Sequence, residues 1–191
     1  IPCQFESMEE KYGYLLCKKD KQWGVYTTDF EELYPCQYSN VRFEKAGGRL
    51  ILYAQNKSLW GAFNFDTGQQ LLPFSYGKIE LVPFGNNNCF RVSRENNIGL
   101  YTSEGVLLMP CEYTSIQKGS EGGSDCIVAA KDGKAGLFDM DGIAIIPAGK
   151  YESFKSIEGL GFEVTLNQKK GYCDKAGNEI LPPIYTSFEF D

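Results

Sequence analysis

Seven cysteines and no histidine set the first limit on what this chain can do chemically. Without imidazole, Ser-His-Asp and Cys-His nucleophilic catalysis fall away, and so does every histidine-ligated metal site. A zinc site made of thiolates alone needs four of them converging from close pairs. Cys3, Cys17, Cys36, Cys89, Cys111, Cys126 and Cys173 contain no C-x-x-C spacing. Three of them, Cys3, Cys36 and Cys111, directly follow a proline and share one sequence slot that elsewhere holds Phe74, Ala148 or Pro183. Such a slot asks for a small-to-medium apolar group, and a free thiol packs as one. We therefore expect no metal and no cofactor. Unpaired thiols suit a reducing, cytoplasmic compartment, although a chain that opens without Met leaves an extracytoplasmic origin open.

Carboxylates are the remaining candidates for chemistry. Glu9-Glu10 and Glu31-Glu32, with Glu158 and Glu163, could supply a general acid and base, but neither Glu-Glu pair recurs and no neighbour in sequence perturbs them. The run Asp139-Met140-Asp141-Gly142 begins like a calcium loop but lacks the later ligands and the closing Glu, so it reads as a β-turn. Residues 119–125, GSEGGSD, are rich in Gly and Ser yet lead into CIVAAKDG, not into the helix N-terminus that a phosphate cradle uses. They read as a flexible loop between repeats. The net charge of −6 is dispersed, and the densest basic run is KKDK at 18–21. Nucleic acid and anionic membrane surfaces are disfavoured as partners. No apolar run reaches the roughly 18 residues of a membrane span.

The elements that would position any site come in copies. Gly24, Gly61, Gly99, Gly136 and Gly171 recur at intervals of 37, 38, 37 and 35 residues. Pro35, Pro73, Pro110, Pro147 and Pro182 follow them by 11, 12, 11, 11 and 11 residues. Each proline is followed by an aromatic, Tyr38, Tyr76, Tyr113, Tyr151 or Tyr185, and Pro2 with Phe5 forms an earlier copy of that element. A fixed period of this size marks a repeat architecture, and residues 1–191 read as a single domain of five repeats.

Within a repeat the pattern is strand-like, and nowhere does an apolar period of 3.6 persist. Asp20-Lys21, Asn56-Lys57, Asn96-Asn97, Asp132-Gly133 and Asn167-Gln168 are expected at a first hairpin turn, because Asn and Asp tolerate left-handed backbone. Gly68, Gly105, Gly142 and Gly177 mark a second turn, which the first repeat, with TTDFEE, lacks. Three strands per copy are well defined, and the apolar stretch after Pro-x-x-Tyr offers a fourth. The proline closing the third run suits an edge strand. The x-Gly glycine permits close approach of a strand or ring. The residue two places on (Tyr26, Phe63, Tyr101, Phe138 or Cys173) shares its face, so stacked copies would join these rings to the Pro-x-x-Tyr tyrosines in one aromatic seam.

These residues resemble the bacterial WG (KWG) repeat proteins. Residues 169–188, KKGYCDKAGNEILPPIYTSF, and 133–154, GKAGLFDMDGIAIIPAGKYESF, look like single units of that family. Only Trp23 and Trp60 keep the tryptophan, which Ile98, Ala135 and Lys170 replace. The resemblance implies a β-repeat protein without an assigned catalytic activity that mediates interactions.

The expected fold is all-β, with antiparallel β-meander repeats of about 37 residues stacked in an open twisted array; a five-bladed propeller is the alternative. Pro-x-x-aromatic elements at both ends favour the open form and a piece cut from a longer array. The expected function is non-catalytic binding of a protein partner. A carbohydrate is the second candidate ligand, because aromatic faces stack on sugars, and a hydrolase with carboxylates facing each other between repeats is the third. Burial of Trp23, Trp60 and the tyrosines would remove the reason for the second.

Overall fold

The computed structural model describes residues 5–85, 87–121 and 124–189. Twenty strands and no helix occupy these residues, arranged as five antiparallel sheets of four strands. The first sheet comprises β1 (Ser7–Lys11), β2 (Tyr14–Lys19), β3 (Gln22–Thr27) and β4 (Glu32–Tyr38). The second comprises β5 (Asn40–Ala46), β6 (Arg49–Asn56), β7 (Leu59–Asn64) and β8 (Gln70–Tyr76). The third holds β9 (Lys78–Phe84), β10 (Asn87–Arg94), β11 (Asn97–Thr102) and β12 (Leu107–Tyr113). The fourth holds β13 (Ser115–Glu121), β14 (Ser124–Lys131), β15 (Lys134–Phe138) and β16 (Ala144–Ile146). The fifth holds β17 (Ser153–Ile157), β18 (Gly161–Leu166), β19 (Lys169–Asp174) and β20 (Glu179–Tyr185).

Every sheet is a meander in chain order. The apolar stretch after Pro-x-x-Tyr is a true strand, and it opens the following sheet: Val41 and Phe43 lie on β5 and Ile79 on β9. A period counted from one x-Gly glycine to the next therefore straddles two sheets.

The loop between the second and third strands falls on Asp20-Lys21, Asp132-Gly133 and Asn167-Gln168, as expected, and all six residues have positive φ. In the other two copies the expectation is one residue off. Asn56 pairs with Leu59 and Arg94 with Asn97, so the loops are Lys57-Ser58 and Glu95-Asn96. Lys57 (φ 56°) and Glu95 (φ 56°) take the left-handed backbone there. The fixed offset from the glycine prevails over residue preference. The stretch 119–125 also differs from expectation. Its described residues are not a link between repeats but belong to the paired strands β13 and β14, with Gly119 opposite Cys126 and Ser120 opposite Asp125. Gly122 and Gly123 lie outside the described residues, as does Cys3.

The third and fourth strands of four of the sheets are joined through a bulge that explains the Gly and Pro spacing, while in the fourth sheet β16 ends before Pro147 and the pairing shifts only between Leu137 and Phe138. Trp23 pairs with Tyr38 and Val25 with Tyr34, leaving Pro35, Cys36 and Gln37 opposite Gly24 alone. The same shift recurs at Trp60/Ala62, Ile98/Leu100 and Lys170/Tyr172. The bulged segment rises over the glycine. A Cβ on Gly24 would lie 2.6 Å from the Tyr34 carbonyl oxygen, one on Gly99 2.9 Å from the Cys111 nitrogen, and one on Gly171 2.6 Å from the Leu181 oxygen. At Gly61 a ring also takes the space, with the Phe74 Cδ1 at 3.1 Å. Proline tolerates the bulge on an edge strand because no ladder bond is asked of its nitrogen.

The core lies between sheets rather than within one. Leu16 and Val25 pack on Phe43, Leu50 and Leu52; Ile51, Tyr53 and Leu72 pack on Phe90 and Val92. Leu100 and Met109 pack on Ile127 and Phe138; Leu137 and Ile146 pack on Phe162 and Val164. Each large apolar side chain so buried contributes about 1.5–3 kcal/mol relative to exposure. A lone sheet would leave them wet, so each repeat depends on its neighbours. The clusters join first to second, second to third, third to fourth and fourth to fifth sheets, and among the described residues none joins the first sheet to the fifth. The array is open, and the propeller alternative is not adopted.

The first junction is built differently. The turn after β7 is one residue longer, with the Asn64 amide bonded to Gln69 where that of Thr102 bonds to Val106. The extra residue, Phe65, enters the interface and meets Tyr14 at 4.6 Å and Phe43 at 4.9 Å between ring centroids.

Candidate functional site

The recurring residues converge at the junctions. On each sheet the x-Gly glycine and the residue two places on face the preceding sheet, while the Pro-x-x-Tyr tyrosine faces the following one. Tyr38 stacks on Phe74 of the next sheet at 6.1 Å, and Tyr113 meets Phe138 edge-on at 5.6 Å. Tyr76 meets Tyr101 at 5.9 Å, and their hydroxyls share a hydrogen bond. At the last junction Cys173 replaces the ring and donates through Sγ to the Tyr151 oxygen at 3.6 Å, while the Tyr151 hydroxyl donates to Glu179. At the first sheet Phe5 takes the part of a preceding tyrosine, 5.1 Å from Tyr26. The aromatic seam expected from spacing is present at the second and third junctions; at the first, Tyr38 meets Phe74 while Phe63 packs on Phe74 and Tyr34, and at the last a thiol takes the place of the ring.

A second series of contacts was not legible in the sequence. Gly105, Gly142 and Gly177 sit in their turns at φ near +83°, +82° and +83°. A Cβ on them would overlap the carbonyl oxygens of Leu71, Leu108 and Ile145 in the preceding sheet. The turn glycine thus serves twice, for its backbone and for close docking. Gly68, displaced by the insertion of Phe65, has nothing within 4 Å of its Cβ position. The turn itself is held by side chains. The Asp139 Oδ1 accepts from the amides of Asp141 (3.0 Å) and Ile143 (2.8 Å), and Asp174 does the same for Ala176 and Asn178. The D-x-D-G run is therefore a β-turn.

Both tryptophans pack between sheets. Trp23 lies half-buried against the first junction, and Trp60 against the second. Arg42 completes the second junction: its guanidinium lies 3.7 Å from the Tyr53 ring centroid and 5.7 Å from that of Trp60. It also donates to the Ile79 carbonyl of the third sheet at 2.7 Å. The Tyr53 hydroxyl is buried, and although burial raises its pKa and Glu44 lies close enough to add to that rise, no hydrogen bond of ordinary geometry reaches it among the described residues. Burying an unpaired hydroxyl costs about 1–3 kcal/mol. Tyr53→Phe is accordingly expected to leave stability unchanged or raise it by up to about 1 kcal/mol, read as an equal or higher urea midpoint.

Titratable groups in the junctions are displaced away from catalysis. Burial pushes up the phenols of Tyr76, Tyr113 and Tyr151 and the thiols of Cys89, Cys111 and Cys173. Burial, with Cys36 adding to it, raises Cys17 to about 11. A nucleophilic cysteine needs the opposite shift. Because the folded pKa of Cys17 exceeds its unfolded one, its contribution to stability is complete below pH about 9 and is lost as pH rises towards about 11. Cys17→Ala should flatten the fall in denaturation midpoint over that window.

The glutamates singled out in the sequence do not converge. Glu9, Glu10, Glu31, Glu32 and Glu158 are exposed, Glu32 accepts from the Tyr26 hydroxyl at 2.8 Å, and Glu163 pairs with Lys170 at 3.0 Å. Along one rim, hairpin tips and turns frame open clefts between sheets. A cleft of about 370 Å³ between the third and fourth sheets is lined by Asn88, Glu104, Asp125, Met140 and Asp141. Another of about 300 Å³ between the second and third shares Asn88 and Glu104 with it and adds Arg49. Hydrogen bonds from Ser103 and Arg49 hold Glu104 below the usual carboxylate range, and Asp125 pairs with Lys118 at 2.9 Å. No group of three or more Cys, Asp or Glu able to hold a metal ion occurs among the described residues.

Residues 171–190 match the family model described as "WG containing repeat". No curated protein matches the chain. Among solved structures it is similar to Kluyveromyces lactis Hsv2p, with 10% identity over 90% of this chain and 62% of that one, at a TM-score of 0.35. It is also similar to a eukaryotic initiation factor, with 15% identity over 94% of this chain and 57% of that one, at a TM-score of 0.33. The chain spans less than two thirds of the length of either.

Proposed function

Starting from a WG-type repeat chain whose recurring residues are consumed between its own repeats, we propose that it is a non-catalytic binding scaffold for a protein partner. The observation that supports this reading is an apolar row on the outer edge of the third and fourth sheets. Val106, Leu107 and Ile143 are 61%, 51% and 65% exposed there. The equivalent places in the second sheet are Gln69 and Gln70. Leu107 and Ile143 adjoin in the chain Leu108 and Gly142, whose close approach brings the two edges together, and exposed apolar residues on neighbouring edges mark interaction surfaces more often than scattered ones do. Prolines and bulges blunt these edge strands against pairing with another strand, so a partner would be held through side chains.

Carbohydrate binding loses its motive, since Trp23, Trp60 and the inner tyrosines are packed between sheets. Of the carboxylates lining the larger rim cleft, Glu104 is paired with Arg49 and Asp125 with Lys118, which argues against their use as a free acid and base for hydrolysis. The partner is a protein in this reading, with neither nucleic acid nor membrane insertion involved.

The test places a photo-crosslinking residue at Val106 or Ile143 in the producing cell. Capture of a defined protein, abolished by Leu107→Asp at unchanged thermal midpoint, is the expected result. No capture, or capture indifferent to that substitution, contradicts the reading. A glycan array offers the converse check, since saturable sugar binding lost in Trp60→Ala would restore the second candidate.

A further inference from the structure

The four junctions use the same positions, and the fifth sheet presents those positions to solvent. The seam tyrosines Tyr38, Tyr76, Tyr113 and Tyr151 are covered by the following sheet and are 7%, 6%, 7% and 1% exposed; Tyr185 is 41% exposed. Three junctions also press a turn glycine onto the carbonyl two residues before the proline, at Leu71, Leu108 and Ile145. The residue at that place in the fifth sheet is Ile180, 56% exposed. Leu181, at the position of the buried Leu72, Met109 and Ile146, is only half-buried. Where the second sheet has Trp60 and Tyr53 on this face, the fifth has Lys170 and Glu163, paired at 3.0 Å.

We propose that this downstream face of the fifth sheet is a docking surface for a further β-meander unit of the same type. The unit carries a turn glycine to meet the Ile180 carbonyl and a ring two residues after its x-Gly glycine to meet Tyr185. Continuity with the existing junctions selects that occupant: the face has the tyrosine that all four cover and the residue whose carbonyl three of them cover. A helix or an extended peptide would not place a glycine and a ring at those two points together. The Lys170–Glu163 pair stands where the second sheet has the rings of Trp60 and Tyr53 and favours a unit with a polar residue opposite it. This surface is separate from the apolar row around Val106, and the two stand or fall independently.

The test supplies the occupant in cis. A copy of residues 78–113, or in a second chain of residues 115–151, is fused directly after Thr186, where the natural junctions make the same connection. Amide exchange along β20 is then compared with that of the parent chain. At least roughly tenfold slowing is expected in the extended chains, the effect of covering a frayed edge with a packed neighbour. Tyr185→Asp should leave the parent unaffected and abolish the slowing in the extended chains. If β20 exchanges as fast in both extended chains as in the parent, or if the slowing survives Tyr185→Asp, the proposal is wrong. Neither result depends on the partner sought at the apolar row.

Discussion

Gly142→Ala is expected to destabilise the protein by about 3–5 kcal/mol, while Gly133→Ala, a change of the same chemistry nine residues away, costs about 1 kcal/mol. Both glycines have positive φ, +82° and +75°, so both pay the backbone penalty of a Cβ in the left-handed region. They differ in what the methyl meets. At Gly133 nothing lies within 4 Å; at Gly142 the methyl would overlap the carbonyl of Leu108 on the preceding sheet. Backbone cannot move aside as a side chain can, so the third and fourth sheets must separate. That separation uncovers Leu100, Met109 and Ile127, all within 1% of complete burial. Urea denaturation of the two variants measures the difference. Equal shifts would mean that the turn glycine serves its own hairpin only, and that the junction does not depend on it.

The second large effect concerns the seam. Tyr113→Ala should cost about 3–5 kcal/mol, because it removes a ring that is 7% exposed and packed edge-on against Phe138, leaving a cavity between rigid sheets. Tyr185→Ala, the same substitution at the equivalent position of the fifth sheet, should change stability by less than about 0.5 kcal/mol, since no following sheet covers it. Chemical denaturation again suffices. A large loss at Tyr185 would show that the tyrosine works within its own sheet, and a small loss at Tyr113 would show that the junction does not need it.

The period was legible in the sequence because the constraint on it is local and absolute. Gly24, Gly61, Gly99, Gly136 and Gly171 sit under a following segment that leaves no room for a Cβ, and the proline of that segment lies at a fixed chain distance. The face of each ring could also be read, since alternate residues on a strand share a face. The grouping into sheets could not. The strand after Pro-x-x-Tyr looks like the end of one unit, yet it pairs with the next, because the hairpins at Gly13 and Gly47-Gly48 join it forward. The two misplaced turns arose from expecting Asn or Asp at left-handed positions that Lys57 and Glu95 fill. The bonded register of the hairpin determined the turn there, and residue preference gave way. The insertion of Phe65 between sheets depends on one extra residue in a turn, which periodicity registers only as an offset of 12 in place of 11. The contacts of Gly105, Gly142 and Gly177 with preceding carbonyls join residues more than thirty positions apart, and no local pattern announces them.

The claim beneath all of this is that rings hold one sheet to the next, and a double-mutant cycle on Tyr113 and Phe138 tests it most directly. Tyr113→Ala, Phe138→Ala and the double variant are unfolded in urea, with Tyr113 and Tyr26, on the non-adjacent first sheet, as the control pair. The account predicts a coupling of about 0.5–1.5 kcal/mol for the adjacent pair and additivity within about 0.3 kcal/mol for the control. Additivity in both pairs would contradict it.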